Sequence, residues 1–202
     1  MKILFFSDIH GNLSALKKII KKSEKAELII CAGDLSVGGE NLQSIIDELS
    51  NIKNKNILII PGNNETPQMI DESIDNYENI ISINEDIYQD KNITFFGLGG
   101  GTLSPFNTVY ELSEDEFKKK LKKVSKIDCL ISHSPPKNTS LDVIPNGMHI
   151  GSSEIFKWVM DNNPRICCCG HVHETAGKDE NLGKTYCFNP GPKGVILEIW
   201  KY

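Results

Sequence analysis

Arginine is almost missing from this chain. Arg165 stands alone among 202 residues, and lysine supplies the rest of the positive charge. Paired guanidinium groups, each gripping an anion through two parallel hydrogen bonds, are thereby excluded, so any bound anion needs another source of positive charge. The net charge of −5 and the 7% aromatic content also speak against a basic, aromatic-studded surface for nucleic acid. No apolar run approaches the roughly 18 residues of a membrane-crossing helix. The opening Lys2-Ile3-Leu4-Phe5-Phe6 imitates the start of a signal peptide, but Asp8 and His10 interrupt it too early for a signal core. The expectation is a cytoplasmic protein without a membrane partner.

Cysteine is present, but not in a pairing pattern. Cys31, Cys129, Cys167, Cys168, Cys169 and Cys187 include no C-x-x-C spacing, and adjacent residues on a strand face opposite sides. All of them read as small buried hydrophobes in a reducing compartment. No internal repeat and no linker divide the sequence, so one domain over residues 1–202 is expected.

Short apolar runs alternate with helical patterns through the first half, as in βαβ units. Residues 2–6, 27–32 and 56–61 read as strands, and 13–24 and 40–50 as amphipathic helices. Thr66-Pro67 offers an N-cap and a first-turn proline for a third helix, and Ser113 with Glu116 offers a capping box for a fourth. Between them, Ile80–Ile83, Ile87–Gln89 and Ile93–Phe96 look β-like. Strands at 127–132 and 165–169 flank a helix beginning near Ser152. Two tail strands, 184–188 and 194–200, are expected to pair antiparallel around Asn189-Pro190-Gly191-Pro192. The segments 98–112, 133–151 and 170–183 are longer than a connection needs, and each follows a strand, where ligand crevices form in α/β sheets. The first carries Gly99-Gly100-Gly101 but neither a G-x-G-x-x-G order nor a P-loop lysine, and is expected to face a substrate.

Against that background, four of the five histidines fall in one ordered pattern. Asp8-Ile9-His10 comes first, then Gly33-Asp34, Gly62-Asn63-Asn64-Glu65, His133, and Gly170-His171-Val172-His173. Each block follows an apolar run, so each lies just past a strand's C-terminal end, and all can converge on one rim. Asp and His together suit Mn, Fe, Zn or Co, and so many ligands suggest two ions. Any one block alone would be weak: Asp beside Gly is an ordinary turn, and a lone His is an ordinary core or surface residue.

The order and spacing of these blocks resemble the calcineurin-like metallophosphoesterases, in particular their compact archaeal and bacterial members, over nearly the whole chain. The resemblance implies an α/β fold, a four-layer α/β/β/α sandwich of two mixed sheets with helices outside. It implies two divalent metal ions, manganese first, with Fe, Co, Ni or Zn as alternatives. Asp8, His10 and His173 would hold one, Asn63, His133 and His171 the other, and Asp34 would bridge them. His171 and His173 would reach different ions as alternate residues of an extended segment. The implied reaction is attack of a metal-bound hydroxide on phosphorus. The usual family block is Gly-Asn-His-Asp or Gly-Asn-His-Glu, so Asn64 stands where a proton-donating histidine is expected. General acid help is commonly worth about 10²–10⁴-fold. The substitution favours phosphodiesters, with phosphomonoesters or broad phosphatase activity as one alternative and a catalytically silent interaction scaffold as another. His149, in the segment that His133 opens, is a candidate to replace the missing acid or to bind phosphate. Glu174 and Asn189 are candidate acceptors for the metal-bound imidazoles. The expected substrate is a small phosphoester, nucleic acid is not the expected partner, and the oligomeric state stays open.

Overall fold

The computed structural model describes residues 1–199. Strands β1 (Lys2–Phe6), β2 (Leu28–Cys31), β3 (Ile57–Ile59), β4 (Ile80–Ser82), β5 (Ile87–Asp90) and β6 (Ile93–Leu98) occupy the first half. They alternate with α1 (Leu13–Ser23), α2 (Leu42–Ser50) and α3 (Pro67–Ile74). Then come β7 (Gly101–Thr102), β8 (Glu111–Leu112), α4 (Glu114–Leu121), β9 (Cys129–Ser132), α5 (Ser153–Asn162), β10 (Ile166–Cys168), β11 (Asp179–Leu182), β12 (Thr185–Phe188) and β13 (Val195–Glu198). The expected caps are made: Thr66 Oγ1 accepts from Met69 N, and Ser113 and Glu116 exchange bonds as a capping box, while Asn12 Oδ1 also caps α1 by accepting from Ala15 N.

Side-chain alternation builds the layers. In β1, Ile3 and Phe5 point to one face, Leu4 and Phe6 to the other. The first pair meets Leu28, Ile30 and Leu58 of its own sheet and Phe95, Cys129 and Ile131 of a second sheet, forming the core between them. Phe5 and Phe188 meet edge to face across that gap, their centroids 5.1 Å apart. Leu4 and Phe6 pack instead against Leu16 and Ile19 of α1 and Ile45, Ile46 and Leu49 of α2. The far face of the second sheet, with Phe96, Leu130, Cys167 and Cys169, is covered by Phe117 of α4 and Ile155, Trp158 and Val159 of α5. The result is helix, sheet, sheet, helix, each sheet mixed: the order is β13-β1-β2-β3-β4 in one and β11-β12-β10-β9-β6-β5 in the other. All six cysteines are buried and free, Cys168 facing the central core and Cys167 and Cys169 the helices.

Two expectations fail here. The tail strands are not neighbours: β12 pairs with β10 and β11 in the second sheet, while β13 pairs antiparallel with β1 in the first. Residues 189–194 carry the chain from one sheet to the other, and Gly194 passes 3.0 Å, measured from a Cβ placed on it, from Phe5 O. Residue 200, expected to end the last strand, lies outside the described residues. The segment 170–183 is also less open than expected, since Asp179–Leu182 forms an edge strand. Its side chains alternate between exposed and partly buried, so no continuous apolar run marks it. Among the described residues, no helix is long and apolar enough to cross a membrane.

Candidate metal centre

β1, β2 and β3 are parallel neighbours in one sheet, and β9 and β10 are parallel neighbours in the other. Their C-terminal ends therefore meet along one rim. Asp8 and His10 follow β1, Asp34 follows β2, Asn63 follows β3, His133 follows β9, and His171 and His173 follow β10. The turns after β1 and β2 are tied backbone to backbone, Asp8 N to Gly33 O and His10 N to Asp34 O, both at 3.0 Å. His171 N donates to Asp8 Oδ1 at 3.1 Å, joining the two sheets at the site. Asp8, His10, Asp34 and His171 all take left-handed backbone conformations, φ between 46° and 70°. That region costs a non-glycine residue about 1–2 kcal/mol, and concentrating four such residues in one cluster aims their side chains inward at the expense of backbone strain.

Close approach is what lets the turns meet. A Cβ on Gly33 would sit 2.7 Å from Gly62 Cα, and one on Gly62 would sit 2.5 Å from Asp34 N and against Asp34 Oδ1.

All seven residues singled out as ligands come together. His10 Nε2 and His173 Nε2 are 2.9 Å apart and converge on Asp8 Oδ1 at 3.9 and 3.8 Å. His133 Nε2 and His171 Nδ1 converge on Asn63 Oδ1 at 3.0 and 2.8 Å. Asp34 Oδ2 lies 3.5 Å from both His10 Nε2 and His133 Nε2. Two overlapping donor groups, Asp8–His10–His173 and Asp8–Asp34–His133, are compact enough to hold a metal ion. Mixed carboxylate, amide and imidazole donors fit borderline divalent cations. The two halves differ in exposure: the His133 side chain is fully buried, whereas that of His173 is 60% exposed.

Burial and neighbouring charges set the protonation of these residues. Burial, with the charge of His133 adding to it, drives His171 down to about 3, so its ring is neutral and its nitrogen lone pair free. Burial also raises Asp8. Asp34 is buried too, but His133 and the donation from Asn64 N outweigh that and lower it. His133 Nδ1 donates to Ala32 O at 2.8 Å, which fixes the tautomer and turns Nε2 toward Asn63 and Asp34.

The splay of His171 and His173 has a different local cause from the one expected. They are not alternate residues of an extended segment: His171 has φ 70° and His173 opens a short 3-10 turn. The turn, rather than a strand period, sends the rings to different partners. Asn189 is likewise not an acceptor for an imidazole. Its Nδ2 donates to Val172 O and Thr175 Oγ1, and its Oδ1 accepts from Gly191 N, so from the crossing between the sheets it braces the 3-10 turn at His173–Thr175. Glu174 lines the cavity beside the site.

Asn64 turns inward. Its Nδ2 donates to Asp34 Oδ2 at 2.8 Å and its backbone N to Asp34 Oδ1 at 3.0 Å, while Oδ1 accepts from Gly38 N. His149 lines the same cavity as Asn63, His171 and His173. Its Nδ1 donates to Asp142 Oδ1 at 2.6 Å. Asp142, fully buried, also accepts from Asn138 N, Thr139 N and Gly151 N. Sequence reasoning missed Asp142 because its partners depend on how residues 133–151 fold back on themselves. It missed Glu65 as well, although the residue ends a block already singled out.

Glu65 accepts from Ser36 N, Ser36 Oγ and Gly62 N at 2.6, 2.7 and 3.2 Å, locking the turns after β2 and β3 together. Burial first, and the Asp34 charge second, push it up to about 7 from an ordinary 4.5. A raised folded value means that Glu65 contributes stability fully present below pH 4.5 and lost as pH rises through about 7. Urea melts of the metal-free protein across that window should show falling stability, with a shallower fall in Glu65→Gln. Identical slopes in both proteins would rule out Glu65 as the cause.

Comparison with known proteins agrees with this geometry. The family model for calcineurin-like phosphoesterases matches residues 1–175. The uncharacterised protein MJ1162 of Methanocaldococcus jannaschii is 34% identical over 205 aligned positions, covering 98% of this chain and 91% of the relative. Among solved structures, TT1561 of Thermus thermophilus superposes with a TM-score of 0.72 at 18% identity, covering 95% of this chain and 90% of that one. A dimetal phosphatase of Danio rerio gives 0.63 at 12% identity, covering 94% and 86%. At such identities the two structures establish a shared fold.

Proposed function

Because the chain belongs to the calcineurin-like phosphoesterase family, we propose that it hydrolyses phosphodiesters with the help of two divalent cations, manganese first among Mn, Fe, Co, Ni and Zn. The observation that carries this reading is the position of Asp34. One carboxylate oxygen stands equally far, 3.5 Å, from an imidazole nitrogen of each half of the cluster. Asp8, His10 and His173 would hold one cation, Asn63, His133 and His171 the other, and Asp34 both. When bound, the two cations supply Lewis acidity, acidifying a water and offsetting phosphoryl charge.

The side chains supply the rest. Asn63 adds an oxygen donor without adding charge, which keeps the cluster from becoming too anionic for a phosphate. Asn64 is a positioning residue: it holds both Asp34 oxygens and has no proton to give. Asp142 takes the His149 Nδ1–H, so His149 can act as an acid only as the imidazolium, which carries a second proton at Nε2. That proton is the candidate for the leaving oxygen.

The test compares bis-p-nitrophenyl phosphate with p-nitrophenyl phosphate, with Mn²⁺ and with chelator. Metal-dependent turnover with the diester ahead is expected; turnover of the monoester alone would move the reading to a phosphatase. If no metal restores turnover of either, the enzymatic reading falls and an interaction scaffold takes its place. His149→Ala should slow a diester with an alkoxide leaving group by about 10²-fold or more and p-nitrophenolate release far less, since a good leaving group needs no proton. Equal losses on both would show that His149 does not act as the acid. Asn64→Ala should weaken metal affinity by about 10–100-fold in a Mn²⁺ titration, the usual effect of losing a ligand's hydrogen-bond partner.

A further inference from the structure

The cavity beside the cluster has a volume of about 760 Å³ and is lined at one end by Asn63, His171 and His173. That is within the range of roughly 300–1,000 Å³ for pockets that bury a whole small ligand. Its remaining walls come from residues 102–114 and 137–151 with Val172 and Glu174, and they are mostly apolar: Leu103, Phe106, Leu112, Ile144, Met148 and Ile150. Three of these are left largely in water, Leu103 at 67%, Phe106 at 84% and Met148 at 56% exposure. Large side chains exposed together around a cavity mark a binding surface.

Most polar groups of those walls are already engaged, Lys137, Glu174 and His149 Nε2 being the exceptions. Thr102 Oγ1 donates to Ile150 O. Ser104 and Thr108 commit both hydroxyl and backbone N–H to the Glu111 carboxylate. Ser113 is bonded to Glu116, and Glu114 accepts from Ser152, Ser153 and Glu154 at the start of α5. Beyond those three, a sugar or base would find few donors or acceptors to read it. The same bonds hold the apolar side chains outward. Four donations to Glu111 stiffen the loop carrying Leu103 and Phe106, and they outweigh desolvation to bring Glu111 down to about 2. Asp142, with the Val143–His149 bridge, does the same for the loop carrying Met148. An apolar wall held open in this way is preorganised for a ligand rather than collapsed on itself.

We propose that this cavity takes the hydrocarbon arm of an amphiphilic phosphoester. Phosphorus lies at the Asn63–His171–His173 end, and an alkyl-type chain runs between the Leu103–Phe106 loop and the Ile144–Met148 loop. The inference rests on the phosphodiesterase reading above and narrows its substrate class.

The experiment measures calorimetric binding of ethyl-, butyl- and octylphosphonate to the Mn²⁺-loaded protein. The comparison is wild type against the triple substitution Leu103→Ser, Phe106→Ser and Met148→Ser, at exposed positions whose loss does not threaten folding. Each fully buried methylene is worth about fourfold in affinity, so octylphosphonate should bind about 100-fold tighter than ethylphosphonate even with part of its chain on the rim. The triple variant should lose most of that gradient and keep its affinity for ethylphosphonate. Equal affinity at all lengths, no binding at any length, or an unchanged gradient in the variant overturns the proposal. So does a variant that alters only the oligomeric state in size-exclusion chromatography, since the wall would then be a contact between copies. Hydrolysis of methyl p-nitrophenyl phosphate, measured in parallel, reports on the phosphodiesterase reading separately. Turnover without a chain-length gradient defeats only the narrower proposal, and a gradient without turnover defeats only the broader one.

Discussion

Asp34→Asn should reduce metal-dependent turnover by about 10³-fold or more while the metal-free protein melts within a few degrees of wild type. The size follows from what a bridging carboxylate does. A catalytic cation contributes several kcal/mol of charge stabilisation, and each 1.36 kcal/mol is a factor of ten in rate. Asparagine is the informative replacement because Asp34 has φ 55°, and asparagine tolerates the left-handed region that alanine resists. Its Oδ1 can still accept from Asn64 N, so the turn after β2 keeps its anchor. A Mn²⁺ titration read alongside turnover should show one of two binding events weakened or lost. Wild-type stoichiometry and activity in the variant would remove Asp34 from the centre of the proposal and leave the two donor groups as unrelated neighbours.

The second large effect is steric. Gly62→Ala should lower the melting temperature by about 6–12 °C and abolish tight metal binding. The added methyl meets Asp34 N at 2.5 Å as well as the Asp34 carboxylate. Neither atom can yield cheaply, because Asp34 is itself held by Asn64 and its carbonyl accepts from His10 N. Overpacking costs typically 1–3 kcal/mol, and a collision with backbone belongs at the top of that range. For a chain of this size, each kcal/mol moves the midpoint by about 2–4 °C. Differential scanning calorimetry with and without Mn²⁺ would check both halves. A variant that melts like wild type and binds two ions would mean that the turns after β2 and β3 are not in contact. Gly147→Ala is the matched control, since nothing lies within 4 Å of a Cβ there and only the cost of its φ of 82° remains.

The sequence alone determined a good deal. Ile3–Phe6 is apolar without interruption, so a strand there must be covered on both faces, and the resemblance to the family, not the run itself, implied the four layers. Thr66 and Ser113 marked the starts of α3 and α4, because the capping bond is local. The order of ligand-type residues after apolar runs located the metal centre, since parallel strands place all their C-terminal ends on one edge. Long-range contacts settle the rest. Nothing local tells β13 to join β1 rather than β12: pairing partners are chosen by long-range burial, and both choices satisfy the same apolar pattern. The left-handed turn at His171, the inward rotation of Asn64 onto Asp34, and the buried Asp142 behind His149 each depend on a partner far away or folded back in space. The apolar cavity is also invisible in the sequence. Leu103, Phe106 and Met148 would read as ordinary core candidates there, and it takes the carboxylates of Glu111 and Asp142, holding their loops open, to leave them facing solvent beside the metal centre.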